Sequence, residues 1–298
     1  MKTLLCLTKR NIKIFFKDKG LVISSLITPI ILLVLYVTFL AKVYRESFRS
    51  SLPEGMVVSD ALVNGTVAAQ LFASLIAVSC VTVAFCCNLL MVQDKVNGPK
   101  KDFLVTPVSR ATVAVSYYLA TFASTLIVAL LATGASFIYI AVQGWFMSFG
   151  DVMLLLLDVV ILTLFGTAFS SAVNVFLTTN GQASAAGTLV SSAYGFVCGA
   201  YMPISNFGSG LQKALSLLPG TYGTALFKNH ALRGVAKEMA NQGFPPEVVD
   251  AIKKSLDCSV NFFGRDSSVG AMYAVILLST VVLIGVYVLA TMKQTKNR

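Results

Sequence analysis

Long uncharged, apolar stretches alternate with short polar segments along the chain. Five stretches carry no charged residue, and they cover 21–41, 61–93, 111–150, 159–212 and 267–292. A helix needs about 20 apolar residues to cross the roughly 30 Å hydrocarbon core of a bilayer. Polar starts and turn clusters inside the longer stretches reduce the number of crossings that each can hold. The pattern predicts six spans, at about 21–41, 67–92, 113–142, 153–176, 185–201 and 269–291.

A long segment, 202–268, separates the fifth span from the sixth. Pro203 is expected to end the fifth span, because proline cannot donate the next helical hydrogen bond. The following apolar part, 211–227, contains Pro219 and is too short to cross a bilayer, and Tyr222 lies within it. We predict a re-entrant or interfacial helical hairpin here, external in the membrane, because a broken helix at membrane depth is tolerated when it is buried in protein or lines water. An amphipathic surface helix is the alternative, and composition alone favours neither. Further on, 245–256 predicts a short amphipathic helix that begins at tandem prolines.

The first 20 residues mix six basic side chains with apolar ones, and Leu5, Ile12 and Phe15 fall near helical spacing on one face. A cleavable signal peptide has a shorter charged region and a shorter apolar core. The segment 1–20 therefore predicts an amphipathic helix lying in the membrane interface, with its lysines toward anionic head groups. A simple topogenic anchor is the alternative.

Composition supports a membrane protein and charge gives its orientation. The chain is 56% hydrophobic and only 12% charged, which excludes disordered chains, disulfide-stapled mini-domains and most soluble enzymes. The net charge is +10, and thirteen of the 23 Lys and Arg residues fall in 1–20, 94–110 and the C-terminal tail, beside three acids. The remaining loops are nearly neutral. By the positive-inside rule, both termini and the 94–110 loop are cytoplasmic.

Catalytic and metal-binding motifs were sought along the chain. It contains no G-x-x-x-x-G-K-[ST] phosphate loop and no cytoplasmic stretch long enough for a nucleotide domain. We therefore expect no enzyme activity and no cofactor on this chain, and any ATP hydrolysis on a separate polypeptide. His230 is the lone histidine and has no Cys or His at ligand spacing, so no metal site is predicted. The six cysteines do not indicate a disulfide framework.

Two features inside the spans are candidates for function or packing. Asp158 is the only ionisable residue within a span, and it either snorkels to the outer interface or lines a substrate cavity on one face with Phe165 and Phe169. Gly195 and Gly199 form a GxxxG pair that lets helices approach closely. That pair serves packing within the subunit or a dimer seam.

The loop 94–110 is polar, then carries an apolar triplet, then ends in Thr-Pro-Val-Ser-Arg. Such a loop can form a short helix that inserts into a cleft on a soluble partner, and a plain solvated loop is the alternative.

Three landmarks together resemble the type-2 ABC exporter permeases. In the loop, an acidic residue, a glycine and a Leu-x-x-(Ser/Thr)-Pro-(Val/Leu)-(Ser/Thr)-Arg ending match the family's coupling region. Arg10-Asn11, followed by 15–19 and Pro29, resembles its amphipathic N-terminal helix and first span. The series 199–205, 211–212, 218–222 and 232–233 resembles its fifth span and external hairpin. The closest similarity is to bacterial drug and antibiotic exporters, although the insert 234–270 is longer than polysaccharide exporters usually carry.

The resemblance implies an all-α half-transporter of six spans in the bacterial plasma membrane, surrounded by lipid. It would form a homodimer, or a heterodimer with a sister permease, and pair with two ABC ATPase subunits that hold ATP and Mg. No nucleic acid is expected. The residues expected to couple to the ATPases are Lys17, Asp18, Asp94, Lys95, Gly98, Leu104, Thr106, Pro107 and Arg110. The predicted cargo is a drug, an antimicrobial peptide or a lipid-like amphiphile. The alternatives are export of a cell-surface glycan and a non-transport membrane scaffold or sensor.

Overall fold

A computed structural model describes residues 1–50, 58–99 and 106–296, and this part of the chain is almost entirely helical, as predicted. The helices in chain order are α1 (Lys2–Lys17), α2 (Lys19–Leu35), α3 (Ala41–Ser50), α4 (Asp60–Cys87), α5 (Leu89–Asn97), α6 (Arg110–Gln143), α7 (Phe149–Asn174), α8 (Asn180–Val197), α9 (Ser209–Leu215), α10 (Pro219–Asn241), α11 (Pro246–Ser255) and α12 (Val269–Lys296). A π-helical turn, Tyr36–Leu40, joins α2 to α3, and a 3₁₀ turn, Ile204–Asn206, follows α8.

Five helical stretches within the described residues are long and apolar enough to cross a membrane. They are Lys19–Arg49, Asp60–Asn97, Arg110–Gln143, Phe149–Asn174 and Val269–Lys293. These correspond to the predicted first, second, third, fourth and sixth spans, and most extend beyond the predicted bounds. The amphipathic N-terminal segment forms the separate helix α1. An Asp18 carboxylate accepts a hydrogen bond from Leu21 N and so caps α2.

The fifth predicted span differs from the helix observed there. We expected 185–201, ended by Pro203, whereas α8 is Asn180–Val197 and is not among the five apolar helices. The helix ends early because Gly199 adopts a positive φ of 71° and Ala200 N bonds back to Gly195 O at 2.9 Å. This is the usual glycine termination of a helix, and it acts four residues before the proline is reached.

Helix α4 forms the centre of the bundle and is buried on nearly all sides. Helices α2, α6, α7 and α10 pack around it. Small residues make this close packing possible. For example, a Cβ at Gly166 of α7 would lie 2.6 Å from Cys80 O of α4, so the two backbones approach where only glycine fits.

Helices α9 and α10 form a helical hairpin whose turn lies deep along the bundle. Near the start of α10, a side chain at Gly223 would collide with Leu162, which lies thirteen residues into α7. At 1.5 Å per residue, that is about 20 Å from the beginning of α7. Gly234, further along α10, packs against the backbone of Phe146 just before α7. Helix α10 therefore runs antiparallel to α7 from mid-bundle to its end.

The segment after α10 contains a short helix and a small hairpin. Helix α11 begins with Pro246 in its first turn and ends at Ser255, which agrees with the predicted 245–256 helix. Two-residue strands, β1 (Asn261–Phe262) and β2 (Arg265–Asp266), then pair antiparallel before α12 begins.

Candidate functional site

The first polar cluster lies where α1 meets α5 and α6, and we call it the amino-terminal cluster (Arg10, Asn11, Asp94 and Tyr117). The Asp94 carboxylate is at its centre and is buried. Arg10 Nη1 donates to Asp94 Oδ2 at 2.5 Å, and Tyr117 OH donates to the same oxygen at 2.6 Å. Arg10 also donates to Asn11 Oδ1 at 2.8 Å. One carboxylate thus ties three helices together by charge-assisted bonds.

Lys95, beside Asp94, fixes the same corner to another helix. Its ammonium donates to Val175 O at 3.1 Å and to Leu177 O at 2.8 Å, and these carbonyls follow α7. Carbonyls at a helix C-terminus lack intrahelical partners and favour a cation. The desolvated carboxylate and this lysine therefore anchor α5 to α1, α6 and α7.

The residues predicted to couple to a partner fall into three groups. Asp94 and Lys95 make the internal contacts just described. Gly98 ends α5 with a positive φ of 107°, and Asp18 caps α2. The exposed residues are Lys17, Thr106, Pro107 and Arg110. Leu104 lies outside the described residues. Asp18 is exposed as well. The buried Asp94 and the half-buried Lys95 are suited to hold the corner in shape.

The second polar cluster lies where α7, α10 and α12 meet, and we call it the hairpin cluster (Asp158, His230 and Tyr273). His230 Nδ1 is 2.6 Å from Asp158 Oδ2, and Tyr273 OH donates to Asp158 Oδ1 at 2.5 Å. Asp158 and His230 are both almost fully buried, with His230 3% exposed. Both carboxylate oxygens therefore have a partner, as a buried carboxylate requires.

The sequence of α10 explains why His230 reaches α7. Gly223 and Gly234 lie on the helix face that carries His230, seven residues before it and four residues after it. Both contact the α7 side of the bundle, at Leu162 and Phe146 respectively. Because neither glycine has a side chain, α10 lies close against α7 and the imidazole spans the remaining gap.

The structure changes the interpretation of the predicted substrate-pathway residues. Asp158 does not extend to the surface of the bundle, because it is 2% exposed and bonded to His230 and Tyr273. Phe165 is buried and stacks on Phe169, with ring centroids 6.1 Å apart. Phe169 in turn meets Phe85 edge to face at 5.2 Å. These three predicted residues lie within the packed interior of one subunit, and a role in transport remains a prediction.

The GxxxG pair packs within its own segment of the chain. A side chain at Gly195 would collide with the ring of Tyr201, and one at Gly199 would lie 2.7 Å from Ile204 Cγ1. The pair therefore allows the chain to fold back after α8.

The predicted hairpin residues lie on either side of the turns. Pro203 precedes the 3₁₀ turn, Pro219 is in the first turn of α10, and Tyr222 OH donates to Ser216 O at 2.8 Å.

The contacts in both clusters join helices to one another. Within residues 1–50, 58–99 and 106–296, no group of three or more His, Cys, Asp or Glu residues is arranged to hold a metal ion. What the two clusters can do is hold helices in a fixed relation at opposite ends of the bundle. A comparison with known protein families identifies the family of this helical bundle. The family described as ABC-2 type transporter matches residues 3–229.

The chain belongs to the ABC-2 type transporter family. It is accordingly a multi-pass membrane protein and the permease of an ABC transporter, and membership implies partnership with an ABC ATPase subunit. The comparison with curated proteins found no match. The match covers the three helices of the amino-terminal cluster and the start of α10, and ends one residue before His230. Tyr273 and the insert therefore lie beyond the part of this ABC-2 permease that the family defines.

Several residues of this ABC-2 permease were missed or undervalued from sequence. His230 was set aside for lack of Cys or His companions, although its real partners are a carboxylate and a tyrosine. The spacing of Gly223, His230 and Gly234 on one helical face was the available signal. Tyr117 and Tyr273 had no sequence signal, because a tyrosine within a span is ordinary composition.

Proposed function

We propose that this chain is the transmembrane subunit of an ATP-driven exporter that moves an amphiphile, such as a drug, an antimicrobial peptide or a lipid-like molecule, out of a bacterial cell. Two copies, or this chain and a sister permease, would form the pathway, and two ATPase subunits would bind ATP and Mg and perform the hydrolysis. This chain would supply no catalytic residue. The support comes from one unusual helix face.

That face belongs to α8, and it differs from the other exposed faces. Helices α2 and α12 expose large aliphatic side chains such as Ile23, Ile31 and Leu278, which suit contact with lipid. Helix α8 instead exposes small and polar side chains, with two large apolar ones among them. They are Gln182, Ser184, Ala185, Thr188, Leu189, Ser192, Ala193 and Phe196.

A polar face of this kind is unfavourable against lipid and favourable against another helix or water. In a dimer, α8 would therefore lie at the seam and line the pathway. Its serine and threonine hydroxyls would meet the polar part of an amphiphile, while Leu189 and Phe196 would meet the apolar part. This mixed character supports an amphiphilic cargo over a glycan, which would have little use for the exposed Leu189 and Phe196.

The proposed placement in the membrane follows the same reasoning. Helix α8 would complete six crossings, with both termini in the cytoplasm. Helix α1 would lie in the inner interface, since its basic and apolar residues fall on different faces. Helices α9 and α10 would re-enter from outside, because the α10 start lies beside Leu162, deep along α7. Irregular backbone at such depth is tolerated when it is buried in protein.

Coupling would pass through the exposed part of the loop after α5 together with α1. Thr106, Pro107 and Arg110 would contact the ATPase. The amino-terminal cluster would transmit the movement of the ATPase to α1 and α6. Gly98 has a backbone conformation that side chains disfavour, so Gly98→Trp should distort the loop start. We expect Gly98→Trp and Pro107→Asp to leave membrane insertion intact while transport falls. Normal transport by both variants would refute this coupling assignment.

Transport itself is tested with the permease and the ATPase that co-purifies with it from detergent. In inside-out vesicles we expect ATP-dependent accumulation of a fluorescent amphiphile, abolished when the ATPase is replaced by a hydrolysis-deficient variant. Amphiphiles should also stimulate ATPase activity. Transport of a lipid-linked glycan alone would favour the glycan alternative. Absence of any ATPase partner and of any ligand-stimulated hydrolysis would favour the scaffold or sensor.

The α8 seam is tested by disulfide cross-linking in a background with the exposed Cys6 replaced by serine. We expect Ser192→Cys to give a covalent dimer of permeases under mild oxidation. Val281→Cys on α12 is the matched control, since Val281 is also exposed in the single subunit but faces lipid in the proposal. Cross-linking of Val281→Cys and not of Ser192→Cys would refute the seam.

A further inference from the structure

A cavity with both apolar and polar groups in its wall lies beside the hairpin, between α10, the turn after α8 and the end of the insert. Its volume is about 180 Å³, the share of liquid volume taken by roughly six waters. One wall is a single face of α10, formed by Thr221, Thr224 and Lys228. Facing it are Asp257 and Ser259 from the insert. Such a cavity is large enough for a small organic molecule and is rich in hydrogen-bonding groups.

Lys228 is the unusual group in this cavity, because it is a lysine that is only 1% exposed. Its ammonium donates to Gly199 O at 2.8 Å, and Asp257 Oδ2 lies 3.9 Å away, beyond hydrogen-bond distance. Burial lowers the pKa of Lys228, while the neighbouring Asp257 opposes that change. An ammonium has three donors, so this buried cation has capacity for another acceptor.

Asp257 has complementary features. Its carboxylate accepts a hydrogen bond from Ile204 N, and its own backbone has a φ of 56°, an uncommon conformation that the insert maintains at this position. Burial raises the pKa of Asp257, and Lys228 opposes the change. At the rim, Lys254 lies 3.3 Å from Asp266, and its side chain is 68% exposed. The lining thus holds two cations and two carboxylates and is neutral in sum.

We propose that this cavity binds a small zwitterion of amino-acid or dipeptide size, with its carboxylate on Lys228 and its ammonium on Asp257. A ligand with a net charge would leave one of the lining charges unbalanced. Lys228 and Asp257 form an ion pair at 3.9 Å without a direct hydrogen bond, and a ligand without charges would add no charged partner to either group. Such a ligand would join the hairpin to the insert. That the cavity opens outside the cell rests on the proposed function, whereas binding itself does not.

Binding is measured on the purified full-length permease in detergent, so that its outcome is separate from any failure of transport. Glycylglycine and glutamine are the zwitterionic probes, with glycerol as the neutral probe and acetate as the anionic one. We expect saturable calorimetric binding of the zwitterions, and affinities for glycerol and acetate at least tenfold weaker. Absence of zwitterion binding, or equal binding of glycerol, would overturn the proposal.

Two neighbouring lysines on α11 provide matched variants that should both fold. Lys254→Gln removes the rim cation and should weaken zwitterion binding up to about fivefold, in line with an exposed charge. Lys253→Gln removes a cation that pairs with Asp250 outside the cavity and should leave binding unchanged. Thr224→Val, which preserves volume in the wall, should also weaken it. Equal effects of the two lysine variants would place any binding elsewhere.

Discussion

The two polar clusters have the same plan at opposite ends of the bundle. Each centres on one buried carboxylate that accepts a bond from a tyrosine hydroxyl and meets a basic side chain. In the amino-terminal cluster, Asp94 joins α1, α5 and α6 through Arg10 and Tyr117. In the hairpin cluster, Asp158 joins α7, α10 and α12. Three helices therefore depend on a single carboxylate at each end.

The clusters differ in the basic partner and in its contact with solvent. The Arg10 side chain is 31% exposed and is always charged, so water and salt can partly replace its bond to Asp94. The His230 side chain is 3% exposed, and nothing replaces its carboxylate partner if the two separate. The comparison indicates that water can replace the Arg10 contact more easily than the His230 contact, because Arg10 is partly exposed and His230 is not.

The largest effect is expected at the centre of the hairpin cluster. Asp158→Ala leaves His230 and the Tyr273 hydroxyl buried without their acceptor, which should cost about 3 kcal/mol of unfolding free energy. Thermal unfolding of the purified permease in detergent measures it. Asp158→Asn, which keeps a polar group of the same shape, should lose less. If the alanine variant unfolds at the same temperature as the native protein, the hairpin cluster does not hold α10.

A smaller and salt-dependent effect is expected at the amino-terminal cluster. Arg10→Gln should cost about 1 kcal/mol, because the bond is charge-assisted but partly solvated. The loss should shrink in 1 M salt, whereas the loss in Asp158→Asn should not change. Lys9→Gln is the control, as Lys9 is the exposed neighbour on the same helix. A salt-independent Arg10 effect would remove the distinction between the two ends.

Hydrophobic pattern was sufficient to predict most of the helices. A long apolar run in a bilayer is stable as a helix, because a helix satisfies its own backbone hydrogen bonds. The first four predicted spans and the sixth therefore correspond to observed helices. The fifth failed at its end, because Gly199 acts before Pro203. A glycine that terminates a helix cannot be distinguished by pattern alone from one that packs within it.

The polar contacts were much harder to predict, since they join residues far apart in sequence. Asp158 and Tyr273 are 115 positions apart, and nothing local to either indicates the other. Asp94 was recognised from the loop pattern, and the structure adds that its side chain is turned inward to Arg10. What sequence conveys is which polar residues occur in apolar surroundings. Which of them meet is decided by helix packing.

The shared tyrosines allow a direct test of how similar the clusters are. Tyr117→Phe and Tyr273→Phe each remove one hydroxyl while the carboxylate keeps its basic partner. Each should therefore cost about 1 kcal/mol, the usual net value of one hydrogen bond. Thermal unfolding midpoints of both variants, measured in the same buffer and detergent, compare the two losses of stability. A loss at one tyrosine several times larger than at the other would mean that the two ends are not built alike.

The smallest effect is expected at the ion pair next to the hairpin cluster. Arg233 follows His230 by three residues on α10, and its Nε lies 3.7 Å from Asp151 Oδ1. The Arg233 side chain is 52% exposed. Asp151 is buried, and its other carboxylate oxygen, Oδ2, accepts hydrogen bonds from Ser148 N and Ser148 Oγ in the capping box that begins α7. Arg233→Gln should therefore cost less than about 0.5 kcal/mol, against a much larger loss in His230→Gln. Equal losses would show that the half-exposed Arg233 contributes as much as the buried His230 to holding α10. Burial of the basic partner would then not be what distinguishes the two clusters of this permease.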